Sequence, residues 1–370
     1  MFLPIVFIKK YKYYQFKSLF MARARLEYID LLKLFSILAI ITVHAFNVWQ
    51  QAEILGIRIY GFTSLVKFGV PVFIMVSGAL LLNRHIVLGS FLKKKVNRIV
   101  YPFIFFYILT CLFVFLNHHT HEQTQNIFAF RWYFWMILGV YLSIPIINKY
   151  VMYSKLNELE YFICLFLFAA IFYEITYYFG IKQYFYLTLF LSPLGYLVLG
   201  YYLSKKEFNM SANKIITISI FLFVLTTFLK SCGIWGYLPF IENYAANTSP
   251  MLSSWLDVSF LQIIQASSIF VAAKSLYQSS NGIYSHIKKF LQSKVISNFV
   301  LSVSRASYGM YLMNLMPTLL FYYYLQPMDF TGTQVCLVIM VISLVTFIGS
   351  WLIIVLLSKI PYIKDLSGYY

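Results

Sequence analysis

Apolar stretches long enough to cross a lipid bilayer recur along the whole chain. A spanning helix needs about 20 predominantly apolar residues. Ten stretches approach or exceed that length: 31–49, 65–82, 99–116, 132–151, 158–180, 184–203, 214–232, 257–277, 301–325 and 334–358. Hydrophobic residues make up 61% of the chain and charged residues 11%, which excludes a soluble globular protein. We predict an all-α, multi-pass protein of the cell (plasma or inner) membrane with about ten transmembrane helices.

The basic residues predict which side of the membrane each loop faces. Cytoplasmic loops carry the excess of Lys and Arg. With the N-terminus inside, only five of the 29 basic residues fall on the outer side: Arg58, Lys67, Arg131, Lys182 and Lys230. Both termini are therefore predicted to be cytoplasmic. This bias and contact with anionic membrane lipids account for the net charge of +17, so no nucleic acid is expected as a partner.

Two regions are expected along the chain. Residues 1–24 form a basic, aromatic N-terminal extension, which is either a membrane-surface segment or sequence upstream of a true start at Met21. Residues 25–370 form a single transmembrane domain, because the polar segments within them are short. The sequence contains no Gly-rich phosphate loop of the P-loop or dinucleotide-binding type, so no soluble nucleotide-binding module is expected.

His44 is the one histidine of six that falls inside a predicted span. It follows Lys33 by eleven residues, about three helical turns, so both side chains face the same side of one helix, roughly 16 Å apart along its axis. An ionisable group at this depth is costly and usually functional. The alternative is a histidine that hydrogen-bonds a neighbouring helix only to hold the two together.

Glu174 is the only carboxylate well inside a predicted span. Its depth requires a charged partner or a proton. The predicted topology places it in the outer half of the membrane, as it does His44, so Glu174 is expected to pair with and orient the imidazole. A bond to Arg131 or to an acceptor hydroxyl is the other possibility. His44 is the expected general base, since the histidine pKa lies near neutral pH.

Several motifs resemble those of acyltransferase family 3, the multi-pass membrane O-acyltransferases that modify bacterial surface glycans. The Lys33-to-His44 spacing is similar to that family's Arg-x10-His signature, with Lys in place of Arg. Lys95 and Arg98 are similar to its Arg-x-x-Arg pair, which a proline follows. Further similar segments occur in order at 68–81, 132–134, 141–145, 195–201, 309–314 and 360–362. The resemblance extends over about residues 25–365.

The resemblance implies transfer of an acyl group, most simply acetyl, from cytoplasmic acyl-CoA to a hydroxyl on the far side of the membrane. It implies that His44 is catalytic and that Lys33, Lys95 and Arg98 bind the donor. Acetyl-CoA is then a co-substrate, with no bound cofactor, and a surface glycan or lipid-linked oligosaccharide is the acceptor. Lys at 33 and 95 keeps the charge but lacks the planar fork of Arg.

Two further positions depart from the family. Family members often carry His before the Trp of the fourth helix and at the end of the Tyr-Leu segment, where this chain has Phe130 and Asn314. Either Arg131 and Asn314 substitute for those histidines, or the acceptor differs. With Trp132, they form the expected acceptor side.

Two other functions remain open. The aromatic-rich composition, with 37 Phe and 32 Tyr, would suit a glycan or small-molecule transporter or exporter, although no internal repeat is visible. The missing histidines would suit an inactive relative that scaffolds a synthase. A metal site is not expected, because His118, His119 and His121 are too closely spaced for a helical ligand pair.

Overall fold

The computed structural model describes residues 26–50, 62–116, 132–179, 181, 189–234, 258–325 and 332–370, and within them all regular secondary structure is helical. The predicted all-α class is confirmed. The helices are α1 Glu27–Gln50, α2 Gly69–Leu81, α3 Leu88–Leu116, α4 Trp132–Tyr153, α5 Leu156–Tyr178, α6 Pro193–Lys205, α7 Ala212–Ile234, α8 Phe260–Gln278, α9 Gly282–Leu291, α10 Lys294–Met313, α11 Leu315–Leu325 and α12 Gly332–Leu357. A short 3-10 turn follows at Lys364–Leu366. The proposed extension at 1–24 lies outside the described residues.

Helix α1 lies at the centre of the bundle and packs against α2, α8, α10, α11 and α12. About 67% of its most apolar window is buried inside the protein, against 22% for α3. A helix that is apolar on all sides is suited to such a central position. The helix that carries Lys33 and His44 is therefore the one most enclosed by its neighbours.

Seven helices in the described residues are long and apolar enough to cross a membrane: α1, α3, α4, α5, α7, α8 and α12. The predicted total of ten is not confirmed. The second predicted span, 65–82, contains a 13-residue helix, α2, and the sixth, 184–203, begins in residues that are not described and continues as the 13-residue α6. The orientation of the termini stays a prediction from the distribution of charge.

Helices α2 and α6 cross with their backbones in contact. A Cβ on Gly78 would lie 1.8 Å from the carbonyl oxygen of Leu197, and one on Gly200 would lie 2.1 Å from that of Met75. No side chain larger than hydrogen fits at either position. Small residues allow such close approach between membrane helices, so these family-like glycines act in packing.

The ninth predicted span, 301–325, is interrupted at Asn314, between α10 and α11. The backbone N–H of Asn314 still donates to Met310 O, and that of Thr318 donates to Asn314 O. The break places a fully buried amide side chain in the protein interior. Asn314 is therefore held at a helix junction beside α1.

Candidate active site

His44 and Asn314 form a buried hydrogen-bonded pair between α1 and the α10–α11 junction. The distance between His44 Nδ1 and Asn314 Oδ1 is 2.7 Å. The two side chains are 7% and 0% exposed. Asn314 thus occupies the position at which the family often has His, and it contacts the predicted catalytic residue directly.

The contacts of Asn314 determine which ring nitrogen of His44 carries the proton. Asn314 Nδ2 donates to Met310 O at 3.3 Å and to Tyr311 O at 2.5 Å, which turns Oδ1 towards the imidazole. Because an amide oxygen only accepts, Nδ1 of His44 must be the donor. The neutral ring then has its lone pair on Nε2, the tautomer that a general base requires.

A small, partly open pocket lies beside this pair. Its wall comes from α1, α3, α4, α10 and α11, and aromatic rings make up much of it. Phe103 and Phe134 stack with their centroids 3.6 Å apart, which joins α3 to α4. Hydroxyl-bearing side chains also line the pocket, including Tyr107 and Thr110. An apolar cavity with a few convergent polar groups is typical of a ligand site.

The predicted donor-binding cations converge three turns along α1 from His44. Lys33 is half-buried and interacts electrostatically with Arg98 of α3 and with Asp30. Asp30 is buried and accepts a 2.6 Å hydrogen bond from Ser304 Oγ of α10. Lys33 and Arg98, two of the cations proposed from sequence, therefore lie near one another although 65 positions separate them in the chain.

The lysines at the start of α3 differ in exposure. Lys93 and Lys94 are exposed, whereas Lys95 and Arg98 are half-buried. Residues three apart lie on the same helix face, so Lys95 and Arg98 share the side that turns towards the bundle. Lys93 and Lys94 have the placement expected of residues that only contribute to topology.

We call Lys33, Lys95 and Arg98 the inner cations, after the predicted topology. Tyrosines link the surroundings of Arg98 to those of His44. The rings of Tyr133 and Tyr311 are 4.5 Å apart, and that of Tyr311 is 6.0 Å from His44. Tyr141 lies near Ser77 and interacts electrostatically with Arg98. Tyr308 interacts electrostatically with the other members and donates its hydroxyl to Ile99 O at 2.8 Å. We call Tyr133, Tyr141, Tyr308 and Tyr311 the tyrosine series.

Glu174 lies at the N-terminus of α8. Its Oε1 accepts the backbone N–H of Phe260 at 2.8 Å. A carboxylate is stabilised there by the unpaired N–H groups and the helix dipole. Its expected pairing with His44 stays a prediction, and the observed contact favours a second role, that of anchoring α5 to α8.

Two expected acceptor-side residues flank the start of α4. Trp132 is the first residue of the helix, half-buried, with its ring 6.0 Å from that of Tyr133. Arg131 and the histidines at 118–121 lie outside the described residues. Of the two acceptor-side residues that the structure describes, Asn314 is the one that lines the pocket.

The tyrosine series was missed by sequence reasoning. A signal was present: residues 308, 311 and 314 recur at three-residue spacing, and 133 and 141 are eight apart, so each set shares a helix face. In a chain with 32 tyrosines this spacing does not stand out. No local pattern in the sequence indicates that Tyr370 lies beside Arg98.

Comparison with known proteins gives one match. A family model described as an acyltransferase domain, that of acyltransferase family 3, matches residues 26–355. No curated protein and no solved structure matches the chain. The matched range includes α1 with Lys33 and His44, the paired bases of α3, and Asn314. The chain therefore belongs to acyltransferase family 3.

Proposed function

We propose that this protein is a membrane O-acetyltransferase. It transfers an acetyl group from cytoplasmic acetyl-CoA to a hydroxyl of an extracytoplasmic polysaccharide or lipid-linked glycan, and His44 is the general base. Family membership supports acyl transfer in general. The donor, the acceptor and the residue roles are the proposal.

The hydrogen bond between His44 and Asn314 is the observation that most directly supports this proposal. The amide is oriented by two backbone carbonyls, so a neutral imidazole donates from Nδ1 and keeps its lone pair on Nε2. A ring in this tautomer can take a proton at Nε2. The pair stands beside a pocket that both residues line. An oriented base at a pocket is the arrangement that general-base catalysis needs.

The chemical step follows from that arrangement. Nε2 takes the proton of the acceptor hydroxyl as the oxygen attacks the thioester carbonyl carbon. The tetrahedral intermediate collapses, the C–S bond breaks, and the imidazolium returns the proton to the leaving thiolate. Asn314 Oδ1 accepts the Nδ1–H bond throughout, and this bond strengthens when the ring becomes positively charged.

The inner cations fit the donor. Acetyl-CoA carries several phosphate charges at one end and the thioester at the end of a long flexible arm. Lys33, Lys95 and Arg98 would hold the phosphates, while the arm passes along the tyrosine series towards His44. Tyrosine rings provide apolar contact and their hydroxyls can hydrogen-bond the amides of the arm.

Acetyl transfer in membrane vesicles tests the proposal. Inside-out vesicles carrying the protein, with the candidate glycan inside, are supplied with radiolabelled acetyl-CoA outside. We expect label in the glycan with the wild-type protein and loss of transfer with His44→Ala. Reporter fusions after residues 56 and 122 should read extracytoplasmic, and those after 90 and 207 cytoplasmic.

The same assay separates the other functions. Glycan movement without any transfer of label would indicate a transporter. Loss of glycan acetylation in cells that lack the protein, without transfer by the protein itself, would indicate a scaffold. Label retained on the protein when no acceptor is present would replace direct transfer with a covalent acyl intermediate.

A further inference from the structure

The segment after α12, residues 358–370, folds back against α10 and α3. Its 3-10 turn, Lys364–Leu366, packs on α3. A Cβ on Gly309 of α10 would lie 2.1 Å from Ser367 O, and one on Gly368 would lie 2.8 Å from Gly309 N. Gly368 has a φ of +73°, which favours glycine. The backbones of α10 and the segment are therefore in direct contact, and this contact determines where the segment lies.

This contact brings Tyr370 over Arg98. The Tyr370 N–H donates to Arg305 O and its hydroxyl donates to Asp365 O, both at 2.9 Å. The Arg98 Cζ atom lies 4.0 Å from the centre of the Tyr370 ring, well within the range of a cation–π interaction. Burial raises the pKa of Tyr370 to about 12, so the ring is neutral at physiological pH.

The contact with the Tyr370 ring does not use the N–H donors of the Arg98 guanidinium. A guanidinium presents its flat face to an aromatic ring and its five N–H donors in the perpendicular plane. The Arg98 side chain makes no hydrogen bond to any residue that the structure describes, although it is half-buried. Its neighbours Lys33 and Lys95 add positive charge. A held guanidinium with unused donors is suited to bidentate contact with a phosphate.

We propose that residues 358–370 are part of the donor site, and that Tyr370 is a positioning residue that orients Arg98 towards a phosphate of acetyl-CoA. This inference rests on the donor assignment made above and extends it to a segment that follows the last membrane span. A purely structural role would be to hold α3 to α10, which Tyr308 also does through its bond to Ile99 O.

Binding of CoA to the purified protein in detergent tests the inference without requiring acyl transfer. Tyr370→Leu keeps an apolar side chain but has no aromatic face, and Tyr370→Phe keeps the face. We expect Tyr370→Leu to weaken CoA binding about 3- to 30-fold and Tyr370→Phe to stay within about twofold of wild type. Tyr362, which is 94% exposed in the same segment, provides the matched control Tyr362→Leu.

A double-mutant cycle with Arg98→Ala separates positioning from general folding. If Tyr370 acts through Arg98, Tyr370→Leu should have no further effect on CoA binding in the Arg98→Ala background. An equal loss in both backgrounds, or wild-type affinity for CoA in Tyr370→Leu, would overturn the inference and leave the proposed function standing. Absence of saturable CoA binding by the wild-type protein would overturn both.

Discussion

His44 and Lys33 lie three turns apart on α1, yet the two regions to which they belong are built in opposite ways. His44 is buried, and a 2.7 Å hydrogen bond joins it to Asn314. Lys33, Lys95 and Arg98 are half-buried and come from two helices, one of which is the least buried of the spanning helices. The first region fixes which nitrogen of one ring donates, whereas the second concentrates positive charge.

This difference follows from what each region would have to do. A general base needs a defined tautomer and exclusion of bulk water, and a dry interior strengthens each electrostatic contact. Phosphates must enter and leave, so their binding groups need access to water. We therefore expect substitutions at the His44 site to affect turnover, and substitutions at the cations to affect donor affinity.

The largest effect should come from His44. Removal of a general base typically costs 10²–10⁴-fold in rate, so His44→Ala should lower acetyl transfer by that factor. His286→Ala is the matched control, because His286 is exposed on α9. Transfer is measured in vesicles with equal amounts of each variant. Near-normal turnover of His44→Ala would return His44 to the role of a packing residue.

Asn314→Ala should lower turnover about 10- to 100-fold. Hydrogen bonds to charged groups contribute about 1.5–3 kcal/mol, and each 1.4 kcal/mol corresponds to tenfold in rate. The effect should appear in kcat, with little change in the KM for acetyl-CoA. Asn148→Ala is the control, since Asn148 is also a buried amide but bonds only the backbone of Arg84 and Met152 Sδ. Equal losses of activity in both variants would indicate a general effect on folding.

Substitutions at the inner cations should have a smaller effect than those at His44 and Asn314, and they should weaken donor binding. Lys95→Ala or Arg98→Ala should raise the KM for acetyl-CoA about 3- to 20-fold, less than for a buried pair because both residues are half-exposed. Lys95→Arg should be tolerated. Lys94→Ala removes the same charge from the exposed side of α3 and should leave the KM unchanged.

Removal of a loop charge can also alter membrane insertion, so reporter fusions must confirm the orientation of each α3 variant. A KM that rises equally in Lys94→Ala and Lys95→Ala would mean that these residues act through the general positive field. Such a result would contradict the prediction that only the half-buried face of α3 contacts the donor.

Glu174 should show the smallest effect. A carboxylate at a helix N-terminus contributes about 0.3–1 kcal/mol, or up to about 2 kcal/mol when partly buried. Glu174→Gln should therefore lower the thermal midpoint slightly and leave turnover within about twofold, since Gln still offers an oxygen to the Phe260 N–H. A strong fall in kcat, with acceptor KM unchanged, would instead support the pairing with His44, and a shift in acceptor KM would support contact with the acceptor.

Part of the site was predictable from local spacing. His44 and Lys33 belong to one continuous helix, so the eleven-residue interval alone places them on one face. The similarity of residues 33, 44, 95 and 98 to family motifs pointed to the same residues. Asn314 was identified as a departure from the family pattern, but its bond to His44 was not predicted. That bond requires knowledge of which helices pack against α1.

The role of the glycines in the family-like segments, by contrast, could be determined only from the structure. Gly78 lies in the family-like segment at 68–81. The approach of α2 to α6, with the Leu197 carbonyl where a Cβ would stand, assigns it to packing. Helix crossings depend on the shapes of both partners, so the sequence of one helix does not reveal them.

The sequence by itself determined the class of this protein, because insertion into a bilayer depends directly on the length of the apolar stretches and the placement of basic residues. It also determined the helix that carries His44. Tertiary structure alone decided the tautomer of His44, the side of α3 that faces inward, and the contact of Tyr370 with Arg98. These features join residues separated by 270 or more positions or depend on burial, and such contacts arise only when the helices pack.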